Sequence, residues 1–481
     1  MNDLALLALD TAQSLGATYA DARFATYRRQ EILAEDQRVA NLQDRSDTGF
    51  GIRVIAGGAW GFAGSSTLTR EEVLRVAAEA VAIARASATA LARPVTWAAE
   101  AAQQVVFRSD CAADPFTVGV DEKVGLLLAI NEQLRRQSGI KKAHAAMSLR
   151  RTERLYASTD GSRMESDVVT TGVQYQATAV GNGEAKSRAY VPPPLTRGYE
   201  NIDAADLLAQ TERVASEAVE HLAAKSCPDG YRDLILDPHN LALTIHESVG
   251  HATELDRVLG YEESLAGRSF ATPEKLHRLQ YGSEHVTFRA DNTLEHGLAT
   301  HGFDDDGVPG QAWNLVDNGL FVDYASGREV AAEMGYDHSR GCCRADHWGA
   351  IPIVRIPNLS LMPGRSPLTL EEIISDTEDG IYIEGMGSFS IDQMRCNFQF
   401  GGDAFWEIKH GKVVGMLKNV TYQAMTTDFW NACDAVADER FWVKNGVLNC
   451  GKGDPMQVSQ MTHGASPARF RNIRIGAARP A

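Results

Sequence analysis

Low-complexity tracts are missing from these 481 residues, and so is any apolar run long enough to span a bilayer. The first excludes disorder as the theme of the chain, and the second excludes a transmembrane helix. Met1-Asn2-Asp3-Leu4 lacks the basic start and continuous apolar stretch of a secretory signal, so the expected location is cytoplasmic. Cysteine is scarce: the seven residues Cys111, Cys227, Cys342, Cys343, Cys396, Cys433 and Cys450 are too few for a disulfide framework and are expected to be buried thiols or functional ligands. Positive charge is short as well. With 47 Lys and Arg against 63 Asp and Glu, the net charge of −16 repels phosphate backbones and anionic lipid, which argues against nucleic acid or a membrane as partner and leaves room for a local basic patch. What is present is ordinary for a globular protein, with 44% apolar and 23% charged residues. A chain of this length outgrows a single core, so two domains or a duplicated one are expected.

Apolar residues recur at helical spacing from Leu4 to about Leu15, and Thr69-Arg70-Glu71-Glu72 reads as the capped start of an alanine-rich helix. Between them Ala22 to Thr26, Ile32 to Glu35 and Gly51 to Ile55 read as short strands of a meander, with a turn at Ala56-Gly57-Gly58. A similar unit follows: a helix from Asp121 to Arg136, strands from Ala143 to about Tyr190 and a helix from Ala204 to Ala223. Arg28-Arg29-Gln30-Glu31 is echoed by Arg150-Arg151-Thr152-Glu153, and Asp47-Thr48-Gly49 by Thr170-Thr171-Gly172. The expectation is an internal duplication, about 1–90 and 120–225. Val191-Pro192-Pro193-Pro194 breaks the regular structure. Beyond Pro228 short strands dominate, for example Phe398 to Phe400, Trp406 to Ile408 and Val413 to Leu417 with a turn at His410-Gly411. The fold class read from this pattern is α+β, with an amino-terminal α/β domain at 1–228 and a mainly β carboxy-terminal domain at 229–481.

The chemistry-bearing segment is His246-Glu247-Ser248-Val249-Gly250-His251. Leu234-Ile235-Leu236 reads as a strand, Asp237 caps a helix, Pro238 fits its first turn and Gly260 ends it. Zinc-binding helices commonly space two histidines by four residues, about 40° apart around the axis. A step of five rotates the second ring by about 140° and aims it elsewhere. One π-type turn would restore a shared face, and Gly250 lowers the cost of that distortion, so an irregular helix is predicted here. On the residues alone, a structural role for the two histidines stays open.

The string from His246 to Asp256 resembles the H-E-x-x-x-H signature of the TldD/PmbA family of metalloproteases, also called modulators of DNA gyrase, and in particular its metal-bearing TldD-like members. Tyr19-Ala20-Asp21-Ala22-Arg23, Gly49-Phe50-Gly51-Ile52-Arg53-Val54, Gly58-Ala59-Trp60-Gly61-Phe62-Ala63, Phe303-Asp304-Asp305-Asp306-Gly307 and Asn445-Gly446-Val447-Leu448-Asn449-Cys450 extend the likeness over nearly the whole chain. The resemblance implies a zinc ion held by His246, His251 and Cys450, with Glu247 in catalysis. It also implies cleavage of unfolded or small peptides by a homodimer or by a heterodimer with a PmbA-like subunit. Two imidazoles and a thiolate would leave a fourth zinc position for water or a carbonyl, with Glu247 as general base. Cys450 itself sits in what reads as a loop, and its spacing does not separate it from the other cysteines.

Rival constellations are weaker. His338-Ser339-Arg340-Gly341-Cys342-Cys343-Arg344-Ala345-Asp346-His347 has metal-binding residue types without the usual spacing, and the resemblance places Arg340 and Arg344 near substrate. Asp304-Asp305-Asp306-Gly307 lacks calcium-loop spacing and is expected to be a solvated acidic turn. Glu254 and Asp256 compete with Cys450 as third ligand, or else face solvent or orient a ligand histidine. Two functional alternatives accompany the peptidase reading: a non-catalytic regulatory or partner subunit, and a zinc hydrolase of a non-peptide amide in specialised metabolism.

Overall fold

A computed structural model gives the fold and describes residues 1–181 and 183–477. Helix α1 (Asn2–Ser14) leads into β1 (Tyr19–Glu35), β2 (Arg38–Ala56) and β3 (Ala59–Ser65), followed by α2 (Arg70–Ala88), whose cap is Thr69 accepting from the Glu72 N–H. The expected short strands are therefore pieces of two long ones, of 17 and 19 residues. The polar run Arg28–Glu31 does not break β1, because that strand is paired on both sides and Arg28 and Gln30 both donate to Asp44 on β2.

Next come β4 (Gln104–Arg108), α3 (Val120–Arg136), β5 (Ile140–Ser158), β6 (Arg163–Gly181) and β7 (Glu184–Tyr190). The helix expected at 204–223 is two, α4 (Ala204–Ala209) and α5 (Thr211–Ala223), where the Thr211 hydroxyl turns back to the Leu208 carbonyl at 2.7 Å. All the strands form one sheet in the order β3-β2-β1-β5-β6-β4, with β7 on β6. The segments at 28–31 and 150–153 meet there, with Arg29 opposite Arg150.

Strand alternation divides this sheet into two chemically different faces. Ala20, Ala22, Phe24, Ile32 and Ala34 of β1 point to one side, where α1 and α2 close one apolar cluster and α3 and α5 another. Asp21, Arg23, Arg53 and Arg154 look toward the carboxy-terminal half. There Arg53 pairs with Asp21 at 2.8 Å and Asp306 at 2.9 Å, and Arg154 with Asp305 at 2.9 Å. The expected solvated turn at Asp304–Asp306 is thus wrong: all three are at most 2% exposed, because the sheet supplies counter-charges to Asp305 and Asp306 while Asp304 accepts from backbone N–H groups.

The second half is built on β8 (Gly230–Leu236), whose Leu234, Ile235 and Leu236 are fully buried, as a central strand requires. After it come α6 (Pro238–Ile245), α7 (Leu255–Leu259), β9 (Asp379–Glu384), β10 (Asn397–Gly401), β11 (Ala404–Lys409), β12 (Lys412–Lys418) and β13 (Val420–Met425). The chain ends with β14 (Val443–Lys452), β15 (Gln457–Ala465) and β16 (Ala468–Ala477). A mixed sheet runs β10-β13-β16-β8-β9-β11-β12, and β14 and β15 form a separate hairpin. The whole is α+β, with an α/β amino-terminal region and a mainly stranded second half. No helix among the described residues is long and apolar enough to cross a membrane.

Candidate metal centre

Asp237, at the end of β8, accepts from the N–H groups of Asn240 (2.6 Å) and Gly385 (3.0 Å), which caps α6 and ties it to β9. The helix is irregular, as its five-residue histidine spacing predicted, and it also breaks at Glu254 before reaching Gly260. Residues His246–Gly250 form a π turn, His251–Thr253 tighten to a 3₁₀ turn, and Glu254 is extended before α7 begins. The extra residue in the π turn puts both imidazoles on one side, with ring centroids 4.8 Å apart. Gly250 is needed for a second reason: a Cβ there would lie 2.8 Å from Ile356 Cδ1 and 3.0 Å from its Cγ2. Gly250→Ala is expected to destabilise the fold by about 1–3 kcal/mol, the usual cost of overpacking. Denaturant unfolding checks this, and an unchanged midpoint would mean that Ile356 yields freely.

Hydrogen bonds fix the histidine tautomers. His463 lies on β15 with Nδ1 3.0 Å from the Leu359 carbonyl, to which it donates, so its Nε2 is an acceptor. His246 Nδ1–H donates to that Nε2 at 2.9 Å, leaving the His246 Nε2 lone pair free. His251 Nδ1 donates to the Glu254 carboxylate at 2.7 Å, which frees its Nε2 in the same way. Burial pushes the His246 and His463 pKa values below the ordinary imidazole value.

Cys450 reaches this point on β14, opposite Ser459 of β15 and just after a bulge. It is a strand residue, not the loop residue its Asn- and Gly-rich surroundings suggested; pairing with β15 overrides that local preference. Its Sγ lies 3.5 Å from His251 Nε2 and accepts from Arg355 Nη2 at 3.1 Å. Burial opposes ionisation of the thiol, but His251 and Arg355 outweigh it and hold the pKa below the usual thiol value. Ligand atoms of His246, His251 and Cys450 all lie within 4.8 Å of one another. Two imidazoles and an acidified thiol are a donor set suited to a borderline-soft divalent ion.

Glu247, 7% exposed, contacts Arg395 through Oε2. Burial disfavours its charge, yet His251, His246 and Arg395 hold its pKa below the usual carboxylate value. Glu254 and Asp256 do not face solvent. Glu254 grips His251, and Lys452 bridges the two carboxylates at 3.2 and 2.8 Å. His463, Arg355 and Arg395 were invisible to sequence reasoning, since each sits alone on a strand, an irregular segment or a turn far along the chain.

The second sequence cluster does not assemble. His338 is exposed and His347 pairs with Asp47 at the surface, while Cys342 and Cys343 are buried thiols. All seven cysteines are free, and Cys111 is exposed rather than buried or ligating. Arg340 pairs with Asp323 at 2.6 Å. Asp304, Asp306 and Cys343 also converge within 4.8 Å, but Asp304 is taken up by the N–H groups of Asp306, Val308 and Cys343, and Asp306 by Arg53 and the Arg328 N–H.

Two imidazoles, a thiol and a carboxylate brought together inside this α+β fold define a candidate metallohydrolase centre. The comparisons with known proteins agree with that class. The chain belongs to the PmbA/TldD family of metallopeptidases: family models match at residues 229–476 (PmbA/TldA metallopeptidase C-terminal domain), 20–84 (domain 1) and 113–225 (central domain). A metalloprotease of Methanocaldococcus jannaschii is 27% identical, covering 90% of this chain and 92% of its own length. A zinc metalloprotease TldD homolog of Saccharolobus solfataricus is 19% identical over 97% of this chain and 98% of its own. Among solved structures, a modulator of DNA gyrase from Thermotoga maritima superposes with TM-score 0.79 at 15% identity, covering 99% of this chain and 100% of its own. TldE from Thermococcus kodakarensis gives TM-score 0.75 at 16% identity, with 97% and 98% covered.

Proposed function

We propose that this chain is a zinc metallopeptidase acting on unfolded or small peptides, with His246, His251 and Cys450 as zinc ligands and Glu247 as general base. The observation that carries the reading is the convergence of those three ligand atoms within 4.8 Å, beside a buried carboxylate. When bound, zinc would supply Lewis acidity toward a peptide carbonyl and a water molecule. Glu247 accepts the water proton on a carboxylate oxygen and returns it to the leaving amine. Glu254 and His463 hold the two imidazoles in the ligating tautomer, and Arg395, in contact with Glu247, keeps the base ionised and oriented. The names of the relatives support peptidase activity, and the likeness to TldE supports assembly as a homodimer or as a heterodimer with a PmbA-like subunit. A cytoplasmic location, a domain division at 228/229 and duplication within the first domain belong to the same reading.

Metal analysis combined with digestion of a denatured peptide library tests it. The expected result is stoichiometric zinc and peptide cleavage that a chelator abolishes. Absence of zinc would favour a regulatory subunit, and zinc without peptide cleavage would favour a non-peptide amide hydrolase.

A further inference from the structure

A cavity of about 150 Å³ lies between the charged face of the amino-terminal sheet and the β15 strand. We propose that it is a subsite for a carboxylate of the bound peptide; the identity of that ligand as a peptide rests on the peptidase reading above. In a chain of net charge −16, its lining holds Arg29, Arg150, Arg151, Arg154 and Arg344 against a single acid, Asp346, which accepts from the Val458 N–H at 2.9 Å.

Not all of these cations are neutralised. Arg154 is matched by Asp305, and Arg151 by Asp167 and Asp114. Arg29 and Arg344 have no carboxylate partner among the described residues, and Arg150 reaches only Glu31, at 3.7 Å. Arg344 directs its donors to the carbonyls of Gln460 (2.7 Å) and Ile356 (2.6 Å). Buried N–H donors are left over: Nε of Arg150, Nε of Arg154 and Nε2 of Gln460 have no acceptor among the described residues. Unpaired donors beside uncompensated guanidinium groups call for a planar anion with two acceptor oxygens.

One acceptor faces the same space. His301, 6% exposed, has Nδ1 2.9 Å from the Ala299 carbonyl, so its Nε2 carries a lone pair, and that atom is buried without a partner. A carboxylate on the arginines with an amide N–H on His301 describes either the free carboxyl end of a peptide or an acidic residue within one. The position suits a substrate subsite. Ser459 of the lining pairs across the hairpin with Cys450, so cavity and metal centre share the β14–β15 hairpin.

The test compares the full chain with an Arg29→Ala/Arg150→Ala double variant. Arg29 is exposed and the Arg150 side chain is 25% exposed, so the variant should fold, and matched unfolding midpoints verify it. Four labelled decapeptides differ only in one Glu→Gln exchange and in a free or amidated carboxyl end. Binding is read by fluorescence anisotropy on proteins that also carry Glu247→Gln, and cleavage is read as KM and kcat on the parent proteins. A carboxylate-bearing peptide is expected to bind about tenfold tighter than the fully neutral one, as a desolvated charge-assisted contact gives, and the double variant should bring that ratio near unity. The Glu and free-acid arms identify which carboxylate is recognised. Equal binding of all four peptides, or a preference that survives in the double variant, would overturn the subsite. Peptides cut without preference leave the peptidase reading standing and this one fallen; preferential binding without cleavage does the reverse.

Discussion

Glu247→Gln is expected to lower kcat for peptide hydrolysis by about 10²–10⁴-fold while KM and metal content stay close to those of the parent. The exchange keeps the size of the side chain and one carbonyl oxygen, so the packing of the π turn should survive. What it removes is a charged oxygen able to take a proton. Glu247 is held ionised by His251, His246 and Arg395 despite its burial, and the amide has no equivalent charge for Arg395 to contact. The signature is therefore a loss confined to the chemical step. Steady-state kinetics with metal analysis on the same preparation checks it. Normal turnover in a variant that retains its metal would remove Glu247 from the proton-transfer role.

The separation between what the sequence discloses and what it conceals follows the range of the interactions concerned. The π turn at His246–Gly250 was legible because five-residue spacing and helical geometry are both local, and only one distortion reconciles them. The helix cap at Asp237 and the stop at Gly260 were legible for the same reason. The break at Glu254 was not: its carboxylate is drawn to His251 and Lys452, and that lysine comes from the far end of the chain. Long-range charge also misled the reading of Asp304–Asp306, whose composition looks like a solvated turn until Arg53, Arg23 and Arg154 are placed over it. The two short strands expected at Ala22–Thr26 and Ile32–Glu35 are one because β1 is paired on both edges, which nothing local shows. His463 carries no signal at all; its role exists only once β15 lies against the histidine helix.

Cys450→Ser is expected to weaken zinc binding by at least about 100-fold. Losing a group that merely orients a ligand costs roughly 10–100-fold, and a ligand itself should cost more. Serine nearly matches cysteine in size, so the β14–β15 pairing should hold, but a hydroxyl is far harder to ionise than this acidified thiol. Arg355, 1% exposed and with no carboxylate partner among the described residues, donates to both Sγ and the carbonyl of Cys450. In the variant that guanidinium keeps the carbonyl and loses the anion, so the repulsion it exerts on a dication is no longer offset. Cys396→Ser is the control, since Cys396 is a free, partly buried thiol outside the converging ligand set, and it should bind zinc like the parent. Competition with a chelating dye measures both. If the Cys450 variant binds zinc as tightly as the control, the third ligand is elsewhere, and Glu254, already in contact with His251, becomes the residue to change next.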